Sequence, residues 1–478
     1  MKKTCLLSLL LLTFFSLSAQ TPCVANMAGI YPCNDYALMS HMDLNTFSTT
    51  SANDSWGWTD STTGKEYAIM GIRNGTVFVD ITDPLNLIYL GTLPTATGNS
   101  SWRDIKVYQN HAFIVSEASN HGMQVFDLTK LRSVTNPPET FASDAHYTGF
   151  GRAHNIVINE DTGYAYAVGV RNYNANGYNY AGGAHFINIQ NPTSPTPLGG
   201  YAGSGYTHDA QVVIYNGPDT EHVGKEIYIG SNEDRVVIVD VSTKTNPVLL
   251  GTVFYSGVVY THQGWLTEDH KHFILGDEVD EINNGHNTRS YIFDFSDLDN
   301  PTHTSTYESN NTSTDHNGYI LGDTFYLASY KAGLRVLDIS NINAPNEIGY
   351  FDTYTANDNA GTSGAWNVYP YFASGNIVIS DISGGLFVVR KSNTLGVNEL
   401  EQPNSFSLSP NPTTTNPIIK ANQTKNIKQV AVYNILGQQV FFKDNINFKE
   451  FVIPTQNLAK GMYLVKINTS ITKKLILK

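Results

Sequence analysis

Four histidines recur at one interval. The segments GRAHNIV, YTHDAQV, VYTHQGW and STDHNGY place His154, His208, His262 and His316 each 54 residues apart. Neutral imidazole is a good ligand for zinc, copper and iron. Four equivalent imidazoles brought to one axis could therefore build a mononuclear centre for iron, copper or zinc. In the remaining repeats the same place reads as Trp56, Arg103 and Trp366, and the next position is polar in most repeats, as at Asp104, Asn155, Asp209 and Asn367. A second set of turns reads GIR, VSE, GVR, GSNE, GDE, SYK and ISD. It carries Arg73, Glu117, Arg171, Glu233, Glu278, Lys331 and Asp381 to the same face. Glu117 or Glu278 would then orient a ligand imidazole or act as a general base. The other members, with Trp56, Arg103, Asp104, Asp209 and Trp366, would contact an organic ligand. Two structural readings stand beside these: the histidines bond within their own repeats, and the charged ring pairs with itself and fills the channel.

The elements that must position these residues are strands. Between Met39 and Ser392 one phrase recurs, an alternating apolar run ending in Asp and followed by a turn. Examples are GTVFVDITDP, MQVFDLTK, RVVIVDVSTKTNP, SYIFDFSDLDNP and LRVLDISNINAP, with HFINIQNPTSP a variant carrying Asn188. Period-2 alternation of β-branched and aromatic residues predicts half-buried strands. Asp80, Asp127, Asp240, Asp294 and Asp338 would cap the turn N–H groups. The fourth repeat lays out as QVVIYN, EIYIG, RVVIVDV and PVLLGTVF. A four-strand unit repeated about every 50 residues predicts a β-propeller. Six full blades precede a seventh, Ala365 to Lys391, that stops after three strands. YALMSHMDL (Tyr36 to Leu44) would supply its outer strand and close the ring. The fold class is all-β: a seven-bladed propeller over 36–391, a linker over 392–404 and a small β-sandwich over 405–478.

The tail is set apart by charge. From Gln402 onward stand ten lysines, no arginine and two acids, a net +8 that leaves −21 for the rest of a chain whose total is −13. That balance argues against a nucleic-acid partner, since little would neutralise phosphates. SLSPNPTTTNP, VAVYNILGQQV, LAKGMYLVKI and a terminal KKLILK resemble the C-terminal sorting domain of the type IX secretion system. The resemblance implies handling by that machinery, passage across an outer membrane of the Bacteroidetes type, and then release or surface attachment. VVIVDVS is similar to the LVIVD repeat, and the chain from about Cys33 to Ser392 resembles the choice-of-anchor B group of exported bacterial proteins. That resemblance implies a propeller joined to an anchoring module and brings no reaction with it. Histidine before the innermost strand is also a feature of WD-repeat propellers, where it bonds within its own blade.

Residues 1–19 read as a signal peptide, with Lys2 and Lys3 before an apolar stretch and Ser18-Ala19 at its end. The segment 20–35 follows, and Cys23 and Cys33 in it would pair in an oxidising compartment. No later run is long enough for a transmembrane helix. The acidic insertion DEVDEINNGHNTR (Asp277 to Arg289) offers oxygen ligands of the kind that hold calcium. It lacks the spacing of a calcium loop and reads as a solvated loop. RNYNANGYNYAGG (Arg171 to Gly183) is either a sugar-stacking surface or a plain loop. GxSxG, P-loop, Rossmann and HExxH motifs are absent from the sequence. Three functions remain: a secreted or cell-surface propeller binding a small molecule, glycan or protein on the histidine face; a metal-dependent enzyme; or a structural or adhesive scaffold.

Overall fold

A computed structural model describes residues 20–171, 180–392, 406–421, 426–434, 439–468 and 471–478. The segment read as a signal peptide, nearly all of the linker and most of the tyrosine-rich loop after Arg171 lie outside the described residues. Two compact units divide between Ser392 and Asn393.

The first unit is a propeller-like array of antiparallel sheets. Its fourth-repeat strands are Asp209–Ile214, Glu226–Ser231, Val236–Asp240 and Val248–Val253, joined in sequence order into one four-stranded sheet. The alternating runs become strands because both faces of the inner ones are covered: Val236, Val237, Ile238 and Val239 are all fully buried. Seven sheets are described in this unit, five of four strands, one of five and one of six. The first strand of each lies against the first strand of the next, from Ala52–Thr59 through Arg103–Tyr108 and onward, and Ala365–Tyr369 returns to Ala52–Thr59. Hydrophobic clusters fill the spaces between neighbouring sheets, as where Ile227, Ile229 and Ile238 meet Phe273, Leu275 and Tyr291.

The recurrent aspartates do what their position predicts. Asp80, Asp127, Asp240, Asp294 and Asp338 each accept the backbone N–H two residues on, at 3.0, 2.9, 3.0, 2.7 and 2.9 Å. Asn188 does the same at 2.9 Å. A short polar side chain thus replaces a backbone partner at each turn.

Tyr36–Met42 pairs antiparallel with Gly385–Lys391, Tyr36 opposite Lys391 and Met42 opposite Leu386, and becomes the fourth strand of the last sheet. Ahead of it, Tyr31–Asn34 adds to the sixth sheet through Cys33 opposite Phe351. Cys23 and Cys33 are joined by a disulfide.

The second unit has two sheets. One is made of Phe406–Ser409, Ile418–Ala421 and Glu450–Val452, the other of Gln439–Lys443, Val430–Asn434, Gly461–Ile467 and Ile471–Leu477. Both contribute to one core, which holds Phe406, Ile419, Val432 and Val465. Among the described residues no helix is long and apolar enough to cross a membrane.

Candidate functional site

The four recurrent histidines meet. Each stands at or just before the first strand of its sheet, so the cyclic order of the sheets sets the rings side by side. Ring centroids are 4.1 Å apart for His154 and His208, 4.3 Å for His208 and His262, and 4.3 Å for His262 and His316. The Trp366 ring continues the arc at 4.7 Å from His316. All four imidazoles are 9 % exposed or less.

Three of them are oriented through Nδ1. His154 donates to Glu117 Oε1 at 2.7 Å, His208 to the His262 carbonyl at 3.2 Å, and His316 to the Trp366 carbonyl at 2.6 Å. Since those oxygens only accept, Nδ1 carries a proton in each, and the neutral rings of His208 and His316 keep their lone pair on Nε2. His262 differs: it is 1 % exposed and neither of its nitrogens has a hydrogen-bond partner. Burial, followed by the neighbouring imidazoles, holds His208 and His262 well below the ordinary histidine value. Burial brings His316 down to about 3. These three rings are neutral at pH 7.

Two carboxylates adjoin the arc. Glu278 accepts from the Tyr330 hydroxyl at 2.8 Å and lies 3.6 Å from His262 Nε2. Burial raises its carboxyl above the usual range. Burial pushes Glu117 up too, but its bond to His154 and the guanidinium groups of Arg152 and Arg171 outweigh this and hold it below that range. Among the described residues, His208, His262 and Glu278 each present a ligand atom within 4.8 Å of the other two. The set that draws close is thus two imidazoles and one carboxylate, with His154 and His316 flanking it.

The arc opens into a cavity of about 430 Å³ walled by Trp102, Trp366, Tyr330 and Thr362. A neighbouring hollow of about 380 Å³ shares Trp102, His154, His208 and Glu278 and adds Tyr206 and Tyr260. Tyr206 and Tyr260 do recur, each two residues before a histidine in Tyr-Thr-His, whereas Trp102 and Tyr330 are linked to the site only by their nearness in the chain to Arg103 and Lys331.

Below the imidazoles lies a second polar layer. Asp54, Asp104 and Asp209 each accept the next residue's backbone N–H, at 2.6, 2.7 and 2.7 Å. Lys106 bonds Asp104 at 2.6 Å and lies 4.6 Å from the Trp56 ring centre. Asn317 and Asn367 donate to Asp54 at 3.0 and 2.7 Å. Asp104 and Asp209 are therefore engaged within this layer. Burial brings Asp209 up to about 7, opposed by Lys106.

Several sequence-predicted positions fall elsewhere. Trp56 is not the counterpart of the histidines. A register shift between Ala52 and Ser55 gives that place to Asn53 and sends Trp56 deeper, edge-on to Tyr319 and Tyr369 at 5.7 and 5.1 Å. Arg103 is 2 % exposed and turns away to His121 and Thr95 at 2.9 and 3.0 Å. Asp381 caps its own turn, accepting from Gly384 N–H at 2.7 Å and the Thr353 hydroxyl at 2.7 Å. Lys331 points to the Ala360 carbonyl. Arg73 lines a separate hollow of about 250 Å³ with Trp102, Glu117 and Arg152, and the Arg171 guanidinium sits 5.6 Å from the Tyr206 ring centre.

Cyclic four-stranded sheets with polar side chains gathered at the axis define an all-β, propeller-like repeat protein. The chain carries LVIVD repeats at 223–254 and 319–353 and a secretion system C-terminal sorting domain at 407–478. The sorting domain is of the type IX kind and marks the protein for export to the cell surface or the extracellular space. Among solved structures, a protein from Lactobacillus plantarum is similar at 12 % identity and TM-score 0.48, over 84 % of this chain and 99 % of that one. The β-propeller domain of Cps50 (Swd1) from Myceliophteria thermophila is similar at 9 % identity and TM-score 0.43, over 68 % and 93 %. No curated protein shows significant similarity to the chain.

Proposed function

We propose that the first unit is a seven-bladed β-propeller closed by its N-terminal strand, and that its channel mouth binds a small organic ligand outside the cell. The second unit, in this reading, is a small β-sandwich that serves as the export address. The carrying observation is the cavity of about 430 Å³ bounded by the four imidazoles. Lone pairs on Nε2 of His208 and His316 and the carboxylate of Glu278 are acceptors, whereas Trp102, Trp366 and Tyr330 offer aromatic faces. That pairing suits a molecule rich in hydroxyl donors with a flat apolar side, such as the end of a glycan. Titrating the purified chain with a panel of mono- and oligosaccharides, followed by tryptophan fluorescence, tests this. Saturable quenching should weaken at least tenfold in Trp366→Ala and His316→Ala. A scaffold would bind nothing in the panel and would be indifferent to both changes.

A second reading is favoured by His262, whose buried, unpartnered nitrogens sit beside His208 and Glu278. Two imidazoles and a carboxylate with positions left open are a known donor set for iron, and also suit zinc. His208, His262 and Glu278 would hold the ion, and the ion would supply Lewis acidity or redox chemistry at the cavity. Near-stoichiometric iron, copper or zinc in the purified chain, lost in a His208→Ala, His262→Ala double variant, supports it. A metal-free protein after expression with each of these metals rules it out.

A further inference from the structure

Two acids of the acidic insertion are withdrawn from solvent, although Ile282 beside them is 49 % exposed. Asp280 and Glu281 begin the short helical turn Asp280–Asn284 and are 0 % and 2 % exposed. Asp315, which precedes His316 in the following repeat, is 0 % exposed. One oxygen from each of the three lies within 4.8 Å of the others. Asp280 Oδ2 accepts from the Tyr291 hydroxyl at 2.8 Å. Asp280 Oδ1 and all four oxygens of Glu281 and Asp315 have no hydrogen-bond partner. The Glu281 carboxyl lies against the Asp280 carboxyl and near the backbone N–H groups of Glu281 and Asp315, in geometry short of a hydrogen bond.

Nor, among the described residues, is a cation one of the leading electrostatic neighbours of Asp315. The charges acting on it are those of Glu281, Asp280, Asp277 and Glu278, all carboxylates. His286 is the basic group at hand, with Nε2 3.5 Å from Asp280 Oδ2. Burial, together with the neighbouring acids, raises all three carboxyls. Burying one unpaired carboxylate costs several kcal/mol, and a whole domain is stable by only about 5–15 kcal/mol. Room has been left for the group: a Cβ at Gly276 would stand 2.2 Å from Asp315 Oδ2.

We propose that Asp280, Glu281 and Asp315 form a buried site for a hard divalent cation of the calcium type, which ties the insertion to the next repeat. Calcium–oxygen bonds of about 2.3–2.6 Å allow ligand oxygens up to about 5 Å apart, whereas magnesium's, near 2.1 Å, allow about 4.2 Å. Oxygens within 4.8 Å of one another are within the reach of calcium. The unpartnered oxygens of Glu281 and Asp315 come from different repeats, so one ion would satisfy atoms that no local turn can reach. The site is separate from the cavity and does not depend on what that cavity binds.

The test uses the full chain, stripped with EDTA and titrated with calcium chloride, and reads thermal unfolding and terbium luminescence excited through tyrosine. Tyr291 touches Asp280, and the Tyr255 ring centre lies 4.6 Å from that of Tyr291, so a terbium ion at the site would be sensitised. Expected are saturable luminescence displaced by calcium and a Tm that rises by several degrees with calcium. A Glu281→Gln, Asp315→Asn double variant should lose both responses and, without calcium, melt no lower than the stripped wild type. An unchanged wild-type Tm from EDTA to millimolar calcium overturns the proposal. So does a double variant that keeps the full response. Should that variant fail to fold, Asp315→Asn alone must weaken terbium binding at least tenfold, and an unchanged affinity overturns the proposal equally.

Discussion

Two groups of buried carboxylates lie in the same wheel of sheets and are handled in opposite ways. Asp54, Asp104 and Asp209 surround Lys106, receive their own neighbours' N–H groups and take amide donors from Asn317 and Asn367. Among the described residues, Asp280, Glu281 and Asp315 have no lysine and no side-chain amide, and their one hydrogen bond comes from the Tyr291 hydroxyl. The first group sits on the repeat itself, where the residue after the histidine position recurs in successive sheets and can be met by its counterparts. The second joins an insertion to a repeat, and nothing in the repeat anticipates it. Internal completion suits a permanent filling of the channel; incompleteness suits something that arrives from solution.

The largest way to break the contrast is to make the first group resemble the second. Lys106→Met leaves Asp54, Asp104 and Asp209 without their cation, and Lys106 is only 12 % exposed. Loss of one partner of a buried ion pair costs about 3–5 kcal/mol, so urea denaturation should show a fall of that size. A loss below about 1 kcal/mol would mean that the lysine is not the counter-charge.

A smaller effect calibrates the cost of one buried acid with partial help. Asp352 is 3 % exposed, and burial, opposed by the Tyr354 N–H and Arg335 and reinforced by Asp358 and Asp381, brings it up to about 7. Because the folded state holds this proton more tightly than the unfolded chain, with its value near 3.9, the linkage sign is negative. Stability is full below about pH 4, declines as pH rises towards 7 and is level above. Asp352→Asn should flatten that decline, by about 1–2 kcal/mol after allowance for solvent relaxation, in melts taken at each pH. A slope that persists unchanged in the variant assigns it to other groups.

The smallest effect concerns the arc. His262 contributes no hydrogen bond, so His262→Leu removes two unpartnered nitrogens from a buried place. Such replacement is close to neutral or gains up to about 1 kcal/mol, whereas His316→Leu, which orphans the Trp366 carbonyl, costs about 1–3 kcal/mol. Equal losses in the two variants would show that His262 is held by contacts of the ordinary kind.

The repeats made the sheets and the histidines legible. Alternation marked the strands, the terminal aspartates marked the turns, and one interval shared by His154, His208, His262 and His316 pointed them to one place. Trp56 misled because a register shift of the first strand is invisible to a pattern that counts residues. Arg103 and Asp381 shared the repeat position but were drawn to partners particular to their own sheets. Asp280 and Glu281 were hidden by composition, since a polar, acidic stretch looks solvated until another strand covers it. A faint signal existed at Asp315. The residue before the histidine is Ala153, Thr207 and Thr261 in the other three repeats, and an acid only there.

Tyr36–Met42 and Gly385–Lys391 come from opposite ends of the first unit and share one ladder of hydrogen bonds. Contacts this remote in sequence form late and slowly, since the whole intervening chain must be gathered first. Synthesis reaches the second partner only at Lys391, and the sorting domain begins soon after, at 407. The clasp and the export address therefore become available almost together, so a nascent protein that can be recognised for secretion is one that already holds everything needed to shut itself.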